Sequence, residues 1–136
     1  MVPQNSQLYW NSVPAKYKAK LHYYNIPALT NSTDTGSPLH MITSITTLND
    51  FIALKVDVND LNVEVPMLLH ILENHKVSHL IDELFINIRF RCEIMLHCGW
   101  PDSIPTEKSG VVLDRVNILK LFQRLRMLGI RAHVWP

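Results

Sequence analysis

Between residues 70 and 98 six histidine and cysteine side chains carry atoms that bind metals or drive thiol chemistry: His70, His75, His79, Cys92, His97 and Cys98. A structural zinc centre draws on paired ligands, with two cysteines or two histidines only a few residues apart. Here the cysteines stand six positions apart, and His75 and His79 straddle an expected helix break. That spacing assembles no metal centre, so neither a metal nor any other cofactor is expected. Cys92 falls on an apolar stripe whether the chain around it is helical or extended, and a thiol so placed behaves as a small hydrophobe. Cys98 faces the negative end of an expected helix, which disfavours the thiolate a nucleophile needs. The chain has no nucleophile elbow, no phosphate-cradling glycine loop and no HExxH helix. Its carboxylates are scattered, with Asp82 and Glu83 placed as helix N-terminal charges. No catalytic residue, enzymatic activity or small-molecule substrate is indicated.

A second chemistry is recognition of phosphate and bases. Lys16, Lys18 and Lys20 interleave with Tyr17, Tyr23 and Tyr24 near the N-terminus, and Arg115, Lys120, Arg124 and Arg126 lie off the core face of the last helix, with Arg131 just beyond. Basic groups beside aromatic rings suit single-stranded RNA, through phosphate neutralisation and base stacking. Charge is uneven: residues 1–75 hold four basic and six acidic groups, and residues 76–136 hold nine and six. The competing reading is a solvated helix face and an arm whose tyrosines pack inward. RNA binding is therefore the alternative function, and a motif-less enzyme ranks third.

The leading reading rests on surplus apolar surface. In a helix over 114–128, Ile118, Leu121, Phe122, Leu125 and Leu128 form the core stripe, while Val116, Leu119 and Met127 point away from it. In a helix over 79–98, Ile86, Phe90 and Ile94 form a second stripe beside the main one. Such surface asks for cover from another chain. The expectation is a non-catalytic interaction or structural protein that self-associates, most simply as a twofold dimer, or docks on a larger protein partner.

The elements that must position these residues follow from composition and period. With 136 residues, 47% hydrophobic and 18% charged, the chain suits one globular domain able to bury its own core. A net charge of +1 gives no general attraction to nucleic acid or anionic lipid. No apolar run is long enough to span a bilayer, and residues 1–10 lack the pattern of a signal peptide. Cytoplasm or nucleus is the expected location, so the Asn31-Ser32-Thr33 sequon carries no weight. A composition rich in Asn, Ile and Lys and poor in Gly suits a viral or yeast accessory protein.

Residues 1–38 read as an N-terminal arm. Its short helix is capped by Ser12, carries Val13, Tyr17, Leu21 and Tyr24 on one face, and is stopped by Asn25-Ile26-Pro27. Residues 39–136 read as one α+β domain. Its small antiparallel sheet (about residues 39–65) comes from β-branched residues 42–47 and two alternating runs at 52–58 and 61–65. Helices near 66–76, 79–98 and 114–128 pack on it, with a possible edge strand at 130–135. In FINIRFRCEIMLHCGWP (85–101) the helical and extended periods compete. Ser78 as cap and Gly99-Trp100-Pro101 as stop tip it to helix.

Overall fold

The computed structural model describes residues 6–24, 26–58, 60–87, 104–105, 112–113 and 115–134. The arm begins with two short helices, α1 (Ser6–Ser12) and α2 (Ala15–Lys18). The single helix expected from the Ser12 cap to Tyr24 shrinks to α2: Pro14, with an extended ψ of 138°, separates it from α1, which ends at Ser12. Ser12 closes α1 by donating its hydroxyl to the Tyr9 carbonyl at 2.6 Å, instead of capping a following helix. Leu21–Tyr24 follow without helix.

The antiparallel sheet expected over 39–65 is not what forms. Pro38–Ile45 is a helix, α3, because Ser37 caps it by accepting from the Leu39 N–H at 3.2 Å and Pro38 supplies a pre-set φ in its first turn. Thr43, Ser44 and Thr46 give their hydroxyls to carbonyls three or four residues back, which reconciles β-branched and hydroxylated side chains with helical backbone. Ala53–Val56 is a strand, β1, with Leu54 and Val56 turned inward as the alternation requires.

The second alternating run, residues 61–65, belongs to a helix, α4 (Leu61–Glu73). Leu61 and Val65 share a face in either period, so alternation over five residues does not discriminate. Asp60 decides it by accepting from the Asn62 N–H at 2.9 Å, and α4 runs on through Pro66, whose missing N–H leaves one intrahelical bond unmade. Asn74 then caps a single turn, α5 (His75–Ser78).

The helix expected over 79–98 gives way at its start. Ser78 ends α5 and is buried, and Glu83–Ile86 is a strand, β2, with Leu84 and Ile86 fully inside. Asp82 makes the difference. Its carboxylate accepts from the Ile52 N–H at 2.8 Å and its own N–H donates to the Ile52 carbonyl, so it starts a sheet register where a helix cap was expected. Phe90, Cys92, Ile94, His97, Cys98 and Gly99 lie outside the described residues.

Two short strands, β3 (Ile104–Pro105) and β4 (Val112–Leu113), pair antiparallel with each other. The last helix, α6 (Arg115–Met127), leads through Gly129 into β5 (Arg131–Val134). Gly129 has φ 91°, its N–H bonds to Arg126, and the N–H of Ile130 reaches back to Leu125, the paired bonds that close a helix with a left-handed residue. A βαβ unit joining β4 to β5 through α6 does not form, because β5 pairs with β2.

The main sheet therefore has the order β1-β2-β5 with both pairs parallel. Parallel neighbours need long crossovers, which α4 with α5 and the segment containing α6 provide. Register aligns Leu54 with Leu84 and Ala132, and Val56 with Ile86 and Val134. This face joins Val65, Met67, Leu68 and Ile71 of α4 and Ile118, Leu121, Phe122 and Leu125 of α6 in one buried cluster. The opposite face aligns Lys55, Phe85 and His133, and Ala53, Glu83 and Arg131.

Candidate functional site

Four places on this fold present polar, reactive or exposed apolar side chains: the loop clasped to α4, the carboxyl end of the sheet, the outer surface of α6, and the arm. The clasp holds the nearest approach to a nucleophile and base. Ser32 Oγ lies 2.8 Å from His70 Nε2, and the Ser32 N–H donates to the same nitrogen at 3.3 Å. A backbone N–H can only donate, so His70 Nε2 is the acceptor and its proton sits on Nδ1. Asn74 Nδ2 donates to Ser32 Oγ at 3.3 Å, and His40 Nδ1 meets the Ser32 carbonyl at 3.0 Å. Every polar atom of Ser32 is thus spent tying the arm loop to α3 and α4. Those bonds make it a structural clasp between the arm loop and the two helices.

Ligands of parallel α/β sheets gather beyond the carboxyl ends of the strands. There Glu64, buried in the first turn of α4, accepts from the Val58 N–H at 2.9 Å, and Asn87 donates its side-chain amide to Asp57 at 3.2 Å. Asp57 also pairs with Lys55 at 3.0 Å. Glu64 fastens the end of β1 to α4, and Asn87 with Asp57 ties the ends of β1 and β2 together; sequence reasoning missed them because nothing local marks Glu64 as buried. Among the described residues no group of three or more His, Cys, Asp or Glu comes together to hold a metal. His75 and His79 have their rings 5.8 Å apart on the surface of α5 and the residue after it.

The outer surface of α6 exposes large apolar side chains. Val116, Leu119 and Met127 are 57%, 70% and 79% exposed. Successive steps of 100° place them, with Lys120 and Gln123, on a single stripe opposite the buried Ile118, Leu121 and Leu125. Ile86, expected in the same interface set, is buried at the centre of the sheet and cannot meet a partner. Its strand turns it inward where a helix would have turned it to a second stripe. Phe90 and Ile94 lie outside the described residues.

The basic residues divide in the same way. Lys120 and Arg124 are exposed, whereas Arg126 donates both Nε and Nη2 to the Ala132 carbonyl, at 3.3 and 2.8 Å, stapling α6 to β5. Arg131 forms an ion pair with Glu83 at 3.1 Å and stacks over Phe51. The side chain of Arg115 lies outside the described residues. In the arm, Lys16 and Lys20 are exposed, and Lys18 lies 5.7 Å above the ring of Trp10.

No family model, curated protein or solved structure matches this chain. Among the described residues no helix is long and apolar enough to cross a membrane.

Proposed function

We propose that the protein is a non-catalytic association module that self-associates through the outer face of α6, most simply as a twofold dimer. The single observation that supports this reading is the exposure of Val116, Leu119 and Met127 on one side of α6, opposite its buried core face. Isolated exposed apolar residues are ordinary, but three aligned on a helix present a ridge that water solvates poorly. A twofold axis lets one such ridge cover another with no second kind of surface.

The rim of the ridge sets the sign of its salt dependence. α6 contains Arg115, Lys120, Arg124 and Arg126 and no carboxylate, so two copies bring like charges together. Self-association through this face therefore tightens as salt screens the repulsion. Sedimentation equilibrium across a concentration series, at low and high salt, tests it. The expected result is a monomer–dimer equilibrium strengthened by salt and abolished by Leu119→Glu, with helix content unchanged. A buried, unpaired carboxylate at that position costs on the order of several kcal/mol. A chain that stays monomeric at every salt concentration would overturn self-association and assign the ridge to a larger protein whose groove is rimmed by carboxylates.

A further inference from the structure

The N-terminal arm carries a feature that the association reading leaves unused. All four tyrosines of the chain, Tyr9, Tyr17, Tyr23 and Tyr24, lie within residues 1–33, together with Trp10. The same segment contains Lys16, Lys18 and Lys20 and no aspartate or glutamate. The fold brings several of these groups together. Tyr9 and Tyr23 stack with ring centroids 4.3 Å apart and planes 24° from parallel, which fastens α1 to the extended chain after α2. Between them opens a groove of about 510 Å³ lined by Gln7, Trp10, Leu21, His22, Tyr23 and Tyr24. Lys18 sits over Trp10, Lys16 sits 4.8 Å over the ring of Tyr17, and Tyr17 and Tyr24 are half exposed.

We infer that this groove binds single-stranded nucleic acid, with unpaired bases stacked on Trp10 and Tyr24 and the phosphates held by Lys16, Lys18 and Lys20. The groove is shallow and open on one side, a shape that admits a planar base against its wall. The lining is aromatic, with an amide and an imidazole at its edge, and every base offers a π-face to such a wall. The charge is complementary to a polyanion, because three lysines face no carboxylate within the segment. A buried apolar peptide would gain nothing from the lysines. An acidic peptide would gain little from a wall of planar rings. The site also differs from the basic set expected on α6, where Arg126 is spent on a backbone carbonyl and the C-terminal Arg131 is paired.

The test uses the full chain and fluorescently labelled RNA and DNA single strands of about twelve nucleotides, with a duplex of the same length as control. Anisotropy is expected to show binding of both single strands and weaker binding of the duplex, since stacking and phosphate contact read neither the 2′-hydroxyl nor pairing edges. With three phosphates neutralised, affinity should fall about tenfold between roughly 50 and 150 mM salt. That sign is opposite to the one expected for association through α6. Trp10→Ala should weaken binding roughly five- to a hundredfold. Replacing Lys16, Lys18 and Lys20 together by Gln should weaken it and flatten the salt dependence.

A second readout does not depend on a variant that removes the wall. With Trp100→Phe and Trp135→Phe, Trp10 is the sole indole, and its emission should be quenched when the strand is added. No binding of either single strand at low salt, tighter binding of the duplex, or unchanged Trp10 emission at saturation would each overturn the assignment. Binding that survives both the Trp10 and the triple-lysine changes would do the same and move the site elsewhere.

Discussion

α4 and α6 are helices of equal length, thirteen residues each, and both lie within crossovers between parallel strands. Their surfaces differ sharply. α4 buries Glu64, Val65, Met67, Leu68, Ile71 and Leu72 over a wide arc, and its remaining flank is held by the Ser32 clasp. α6 buries a narrower stripe and turns Val116, Leu119 and Met127 to solvent. One helix is closed by its own chain. The other presents the same kind of side chain with nothing over it among the described residues. The difference separates apolar residues that hold the fold from apolar residues available to a second molecule, and mutation can test that separation.

The largest effect belongs to α4. Leu68 is 1% exposed, and Leu68→Ala removes its contacts and leaves a cavity. Chemical denaturation should show a loss of about 2–5 kcal/mol. A loss under about 1 kcal/mol would mean that α4 is less tightly enclosed than its burial implies. Next comes the clasp. His70→Ala leaves the Ser32 N–H and hydroxyl without their shared acceptor, at a cost of about 1–3 kcal/mol. Hydrogen exchange should show the loop of residues 28–36 opening before the core does.

The corresponding change on α6 should be nearly silent in the isolated chain. Leu119→Ala is expected to alter monomer stability by no more than about 0.5 kcal/mol, measured at concentrations too low for association. A cost near that of Leu68→Ala would erase the contrast between the two helices. The smallest effect is at the turn before β1. Asp50 accepts from the Thr47 N–H at 2.7 Å and the Thr47 hydroxyl at 2.9 Å, and the backbone bond and then the side-chain bond hold its carboxyl below the usual carboxylate range. A group whose folded pKa is lowered contributes stability above its unfolded pKa and loses it as pH falls through the folded one. A slight acid-side loss of stability should therefore vanish in Asp50→Asn. Solvent screening at this exposed site keeps it small.

Several of these features were legible residue by residue. The 3.6-residue period of 118, 121, 122, 125 and 128 names the core face of α6, and its complement names Val116, Leu119 and Met127. Gly129 marks the end of that helix because only a residue without Cβ takes φ 91° without strain. The alternation through Leu54 and Val56 gives β1 its inward face. Other features were hidden. Residues 42–47 look extended by side-chain type, yet the Ser37 cap and the hydroxyl-to-carbonyl bonds favour helix as far as Ile45. Ile86 has a helical neighbour pattern and a strand pattern at once, and the contact between Asp82 and Ile52 selects the strand. The aromatic groove of the arm was half legible: its lysines and tyrosines were visible, but Trp10 and His22 join them only because Tyr9 stacks on Tyr23.

Near neighbours alone set the faces of α6 and β1, and the stretch of tyrosines and lysines before Asp34 that holds no carboxylate. Only the tertiary structure decided which strands pair and in which direction. β1 and β2 are separated by twenty-six residues and β2 and β5 by forty-four, so no local period carries information about their register. A parallel pair is selected by whether the intervening helix can close the crossover and bury its own stripe on the sheet, and that is a property of the whole core.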